Sequence, residues 1–366
     1  MKRRDFVTTA GLTAVGAALT GCQKSAAVAD TNCDSAANET RQWKMVTTWP
    51  NNFPGLGTGA AFLAKTITEM TGGRITVTLY GAGELVPPFE VFDAVANGTA
   101  QIGHAGSYYW KGKAQASQLF GAVPFGMNAT EMTGWLYYGG GMELWREVYD
   151  RFGLVPSLAG HTGVQMGGWF NKPINTVDDL RGMKMRIPGL GGEVFRRAGG
   201  VPVNRPGGEL FNALKTGDID ATEWVGPSND LAFGLHKAAK YYYYPGWHEP
   251  NAVLEAMYNK EAFNALPADL QSCVMTASAA AAAHMHAEYT ASNPRALRTL
   301  IDEHGVDVRP LPDEVLATLK ALTTEVLDEI AADDAEFARV LESYRAFQSD
   351  TKAWHDLSER AYYQKR

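Results

Sequence analysis

With 366 residues, 45% of them hydrophobic and 20% charged, the chain has the composition of a globular protein and the length of about two domains. Its formal net charge of -7, with no run of Lys and Arg beyond the extreme N-terminus, excludes the electrostatic footprint of a nucleic-acid binder. The three cysteines, Cys22, Cys33 and Cys273, are too few for a disulfide framework, so packing must supply the stability.

The chain opens with MKRRDFVTTAGLTAVGAALTGCQK, in which Lys2, Arg3 and Arg4 precede a weakly apolar stretch over residues 6–19 that is too short to span a bilayer. Arg3-Arg4 followed by Asp5-Phe6 resembles a twin-arginine export signal. Leu19-Thr20-Gly21-Cys22 resembles a lipoprotein cleavage box in which Cys22 becomes the lipidated first residue; a plainly cleaved signal with an incidental cysteine is the alternative. Residues 1–22 thus read as an export signal, and residues 23–40, small and polar, as a flexible tether.

From residue 41 onward strand-like and helix-like segments alternate, which argues for α/β layers. Residues 43–48 read as a first strand, 57–71 as a helix, and RITVTLY at 74–80 as a strand with period-2 alternation. EVFDAVANGTAQIGHAGSYYW, from Glu90, then matches GELFNALKTGDIDATEWVGP, with Glu90 on Glu209, Phe92 on Phe211, Ala94 on Ala213 and Gly98 on Gly217. Each copy ends a helix at a Gly and starts a strand at once. Two unrelated units with common turn chemistry could share a short match; the length of this one favours a repeat, hence two similar lobes. Ligands of open α/β sheets bind outside the carboxyl ends of strands, so Ser107, Tyr108, Tyr109 and Trp110 of one lobe and Glu223 and Trp224 of the other would face a shared cleft.

Between the two copies, residues 164–170 read as a strand, 176–180 as a helical turn capped by a small polar residue, and 183–187 as a strand ending in Pro188-Gly189. In MKMRIPG, Arg186 sits on an apolar strand, where a guanidinium is costly unless paired. Its partner is either an acidic residue of its own chain or the carboxylate of a ligand, which Arg grips bidentately; the residues alone leave both open. YYYY at 241–244 reads as a buried strand, and His284 and His286, two apart on a helix, face away from each other and make a poor shared metal site. After Pro312, Val315, Leu316, Leu319, Leu322, Val326, Leu327 and Ile330, then Phe337, Val340, Leu341, Tyr344 and Phe347, recur at helical spacing to form a tail that can wrap the lobes. No G-x-S-x-G elbow, P-loop, HExxH or CxxC occurs.

The export signal, the two helix-Gly-strand copies, GVQMGGWFN, DDLRGMKMRIPG and GDIDATEWVGP together resemble the solute-binding subunit of a tripartite ATP-independent periplasmic (TRAP) transporter of the DctP type, over essentially the whole mature chain. TTWPNNFPGLGTGA, YGAGELVPPFEVFDA, GHAGSYYWKGK and YYYYPGWHEP resemble its 2-oxo acid-binding branch, with lactate binders nearby. The resemblance implies an α/β, two-lobe fold like that of periplasmic binding proteins, with a hinged ligand cleft and long C-terminal helices. Lobe 1 would span residues 41–163, completed by about 251–290, lobe 2 residues 164–250, and residues 291–366 a C-terminal helical region that can mediate a homodimer.

The same resemblance implies that Arg186 holds the ligand carboxylate, and that Gln165, Glu223, the Trp224 carbonyl and Glu249 offer oxygens to Na⁺ or Ca²⁺. Such a donor set suits a hard cation better than zinc. Tyr109, Trp224, Asn229 and Phe53 would also meet the ligand, with Trp49, Tyr108, Trp169 and Trp247 as candidate apolar walls. Many family members carry a second Arg where this chain has Gln165, so a dicarboxylate or sialic acid would lose a partner, and a monocarboxylic 2-oxo acid is expected. The protein would act in the periplasm, deliver its solute to TRAP permease subunits and do no chemistry on it. Its alternatives are a binder of lactate or another carboxylate, a secreted metal-dependent enzyme with Glu223 as base, and a ligand-sensing partner of a membrane receptor.

Overall fold

In the computed structural model of the protein, residues 39–366 are described, so the export-signal residues and both Cys22 and Cys33 lie outside the described part. Two sheets are formed. The first has the order β2 (Ile75–Tyr80), β1 (Arg41–Thr47), β3 (Ile102–Gly106), β10 (Val253–Asn259), β4 (Leu154–His161). The second runs β11 (Asp307–Pro310), β9 (Tyr241–Tyr244), β5 (Gly168–Phe170), β8 (Ala221–Thr222), β6 (Lys184–Arg186), β7 (Val201–Val203).

The repeat seen in the sequence is a repeat in space. β3 lies between a parallel neighbour, β1, and an antiparallel one, β10; β8 lies in the same way between β6 and β5. Each follows a helix, Val91–Ala96 or Leu210–Thr216, that ends near a glycine with left-handed backbone, Gly98 at φ 80° and Gly217 at φ 77°. That conformation costs little only without a Cβ, so glycine makes the short helix-to-strand reversal possible. The carboxyl ends of β3 and β8 therefore deliver Ser107–Trp110 and Glu223–Trp224 into equivalent places.

Both sheets are covered on their two faces, and successive residues on a strand enter different cores. Trp169 and Tyr242 pack with Leu210 and Leu235 on one face of the second sheet, while Phe170 and Tyr243 pack with Met185, Phe195 and Leu319 on the other. The tyrosine strand expected at 241–244 is thus a central strand, with Tyr242 and Tyr243 fully buried.

Two stretches pass between the sheets side by side: residues 162–167, leaving β4, and 245–252, leading to β10. Gln165 N–H donates to the Glu249 carbonyl (3.3 Å), Gly246 N–H to that of Gln165 (2.9 Å) and Thr162 N–H to that of Ala252 (3.1 Å). The strand expected at 164–170 accordingly shrinks to Gly168–Phe170: Gly163 (φ 69°) and Gly168 (φ 117°) break the pleat, and Gln165 spends its backbone on the neighbouring crossing instead of a sheet. The helix Ala268–Arg298 packs against β4, the helix Leu56–Met70 and the helix Pro227–Phe233, and so touches both lobes.

Residues 291–366 are not wholly helical, because Asp307–Pro310 adds a parallel edge strand to β9. Beyond it the helices Asp313–Asp333 and Ala335–Leu357 divide one apolar stripe between two cores. Val315, Leu319 and Val326 join the core of the second sheet, whereas Leu327, Phe337, Val340, Leu341 and Tyr344 join Trp135 and Met127 under the first.

Candidate functional site

Arg186 ends β6, is 1% exposed, and lies across the cleft from the turn that ends β3. Its Nη1 is hydrogen-bonded to Glu223 Oε1, its Nη2 donates to the Tyr109 hydroxyl at 3.2 Å and its Nε to the Arg205 carbonyl at 3.1 Å. The guanidinium also lies over the Trp224 ring, 5.0 Å from its centroid. Burial is the largest single influence and works against its charge, yet Glu223 and the hydroxyls of Tyr109 and Tyr108 together outweigh that penalty and hold the group firmly protonated. A guanidinium carries five N–H donors; three are committed here, which leaves one on each terminal nitrogen, the pair that matches a carboxylate.

Glu223 is as deeply buried and is held at both oxygens, with His248 Nε2 donating to its Oε2 at 3.3 Å. A carboxylate only accepts, so the proton of His248 sits on Nε2. Glu249 lies beside them, and one ligand atom from each of Glu223, His248 and Glu249 falls within 4.8 Å of the others. Burial first, then the Glu223 charge, push the Glu249 carboxyl well above the usual carboxylate range. Gln165 Nε2 donates to Glu249 Oε2 (2.7 Å) and to Thr162 Oγ1 (3.3 Å), which fixes the amide and leaves Gln165 Oε1 buried with no partner. An orphaned amide oxygen beside two carboxylates that repel each other makes a donor set for a hard cation, and these residues fit Na⁺ or Ca²⁺.

These groups border a narrow cavity of about 10 Å³, room for about one water molecule, lined by Trp49, Leu56, Tyr108, Tyr109, Thr162, Gln165, Arg186, Trp224, Val225 and Leu254. Trp49 is held in place by its Nε1–H donating to His104 Nδ1 at 2.7 Å; burial pushes His104 down to about 4, which keeps that nitrogen free to accept at neutral pH.

The cavity gathers Arg186, Gln165, Tyr109 and Trp224, with Glu223 and Glu249 bonded to its walls. Phe53 and Asn229 do not line it. Phe53 packs on Phe233 (centroids 4.2 Å apart) and Trp224, and Asn229 is bonded to Pro54 and Tyr289. Of the candidate walls, Trp49 and Tyr108 line the cavity; Trp169 is stacked on Tyr242 and Trp247 packs on Phe125, both in the core. His284 stacks on Phe62, while His286 turns toward His161. Thr162, Leu56, Val225 and Leu254 escaped the sequence reading. Thr162 alone carried a signal, since it directly follows β4 at its carboxyl end.

A family model described as bacterial extracellular solute-binding protein, family 7, matches residues 45–334. The monocarboxylate 2-oxoacid-binding periplasmic protein of Nostoc sp. is 42% identical over 362 residues, 99% of this chain and 98% of that protein. A TRAP periplasmic solute-binding protein from Pseudoalteromonas atlantica, solved with sodium and pyruvate, shares 44% identity and a TM-score of 0.87, covering 90% of this chain and all of that one. One from Colwellia psychrerythraea, solved with calcium and pyruvate, gives the same identity, TM-score and coverage.

Proposed function

We propose a role for this chain, which belongs to bacterial extracellular solute-binding protein family 7, as the periplasmic capture subunit of a TRAP transporter for a small 2-oxo monocarboxylate such as pyruvate. Family membership makes it a binding protein, not an enzyme that would use Glu223 as a base. The observation that carries the choice of solute is the buried guanidinium of Arg186, with two uncommitted N–H groups, facing a small cavity whose other polar lining groups, the Gln165 amide and the hydroxyls of Tyr108, Tyr109 and Thr162, are uncharged. One carboxylate finds a partner there and a second does not. Trp49, Leu56, Val225 and Leu254 suit a short aliphatic tail.

In this reading Arg186 and Tyr109 orient the solute carboxylate, and Gln165 Oε1, Glu223, Glu249 and the Trp224 carbonyl would hold the cation. When bound, the cation supplies positive charge to the carboxylate and keto oxygens of the solute. Arg186 and Trp224 come from one lobe, Tyr109 and Trp49 from the other, so a solute bridging them favours the closed arrangement by its differential contacts. The closed form is what the permease subunits would receive. Calorimetric titration of unfolded and refolded protein with pyruvate, longer 2-oxo acids, lactate and succinate, with and without chelator, tests this. Tight one-to-one binding of 2-oxo acids without consumption is expected, lost on chelation if calcium is the cation and on replacing sodium in the buffer if sodium is; binding of succinate alone would overturn it.

The C-terminal end supports a homodimer as a further part of the proposal. Trp354 and Leu357, at the end of the helix Ala335–Leu357, and Tyr362 and Tyr363, in the short helix Glu359–Tyr363, are each more than 60% exposed, apolar side chains that a second copy can cover. Light scattering at micromolar concentration is expected to give the mass of two chains, and a single-chain mass would rule the dimer out.

A further inference from the structure

Between the lobes, and outside the cavity, lies a buried polar cluster that the solute site does not use. We propose that Asn229, the Pro54 carbonyl and Tyr289 form a clasp that holds the lobes shut, so that Asn229 governs how long the solute stays by stabilising the closed conformation rather than by touching it. The proposal rests on the reading of the chain as a hinged solute binder.

Asn229 is fully buried, in the helix Pro227–Phe233 of the second lobe, and both ends of its amide are engaged. Nδ2 donates to the Pro54 carbonyl at 2.7 Å, and Oδ1 accepts the Tyr289 hydroxyl at 2.9 Å. The same hydroxyl lies 3.3 Å from the Pro54 oxygen, which closes the cluster into a triangle. Pro54 belongs to the first lobe, in the loop between β1 and the helix Leu56–Met70.

Tyr289 is anchored to that loop as well. Its neighbour Glu288 accepts from the Gly55 N–H (2.9 Å) and the Thr58 hydroxyl (2.8 Å), which ties the helix Ala268–Arg298 to the start of the helix Leu56–Met70. Its ring lies against Gly55, where an added Cβ would sit 2.1 Å from the Tyr289 ring and where φ is 69°, so only glycine permits the approach. One side chain of the second lobe is therefore gripped by two groups fixed to the first. Beyond Tyr289 the long helix meets the second lobe itself, through Asn293 Oδ1 accepting the Ser228 N–H at 3.0 Å, so the transition between lobes falls within one turn of the clasp.

The surroundings exclude water. Phe53 of the first lobe packs on Phe233 and Trp224 of the second, and in such a medium a satisfied amide gains strength while a broken one must be resolvated. Opening exchanges these bonds for water, so each contributes only on the order of fivefold to the closed population. The clasp biases closure without locking it, as a carrier that must release its solute requires.

Spin labels at one exposed position on each lobe of the full chain, read by pulsed dipolar spectroscopy without solute, test the clasp directly. Tyr289→Phe, which removes one bond to Asn229, is expected to raise the ratio of open to closed forms about fivefold, and Asn229→Ala, which removes two, on the order of 25-fold; each is expected to speed pyruvate dissociation in the presence of calcium by a similar factor with the association rate unchanged. Tyr289→Phe keeps the ring over Gly55 and is the deciding variant where Asn229→Ala fails to fold. Unchanged distance distributions in both would overturn the clasp. Weakened binding in Asn229→Ala alone, with Tyr289→Phe like the parent, would also overturn it and return Asn229 to the solute. If the parent protein did not bind pyruvate at all, the reading of the solute would fail while the distance measurement still decided the clasp.

Discussion

Arg186→Ala is expected to lower pyruvate affinity by about 30-fold or more in calorimetric titration. Truncating one member of a buried, hydrogen-bonded charge pair costs about 2–5 kcal/mol, or roughly 30-fold to several-thousand-fold. Two penalties combine at this site. The solute carboxylate loses the fork that meets it, and Glu223 keeps its charge with only the His248 N–H for a partner, in a place that is 1% exposed. Arg186→Lys should not rescue binding, because a single ammonium cannot reach Glu223, the Tyr109 hydroxyl, the Arg205 carbonyl and a ligand at once. Melting curves separate the two penalties: a folded variant with a lower melting temperature and no measurable binding fits both, whereas an unchanged dissociation constant would refute the assignment of Arg186.

Arg186 was legible in the sequence because a charge in an apolar strand demands a reason, and the helix-Gly-strand repeat was legible because Gly98 and Gly217 punctuate it. Both features are local. Gln165 and Glu249 were legible only through the family resemblance: they meet because two crossings run side by side, a fact carried by backbone bonds between residues 84 apart. Leu56, Val225 and Leu254 look like core from any local pattern, since a cavity wall and a core residue are chosen for the same apolar surface. Asn229, too, came only through the family resemblance; its partners lie 175 and 60 residues away, at the contact between the lobes. β11 was hidden for a related reason, as a four-residue strand ending in proline acquires its meaning only by pairing with β9. The C-terminal stripe announced its helices yet not its division between two cores, because periodicity tells which face is apolar and not what covers it.

The largest effect on the cation is expected from Glu223→Gln, which preserves shape and removes charge. Around the cavity, Glu223 and Glu249 set two carboxylates against the one guanidinium of Arg186. A bound monocarboxylate adds another negative charge, so with both glutamates ionised the closed site carries an excess of two. The upward push on the Glu249 carboxyl shows how poorly this buried place tolerates even the first of them. Neutralising the excess takes a divalent ion, or a monovalent ion and a retained proton, and cation and solute should therefore strengthen each other's binding, more so for calcium than for sodium. In Glu223→Gln the excess falls by one, the amide oxygen can still accept from Arg186 while its N–H₂ faces His248 only if that ring takes its other tautomer, and the cation loses a charged ligand. Calcium titrated in saturating pyruvate should bind at least about a hundredfold more weakly, as expected when a buried charged ligand is lost, and the chelator sensitivity of pyruvate binding should largely vanish. Glu249→Gln should weaken calcium as well but leave Arg186 paired with Glu223, so residual pyruvate binding should survive better in it than in Glu223→Gln. Equal and undiminished calcium affinity in the two variants would place the cation elsewhere and leave Glu223 as the structural partner of Arg186 alone.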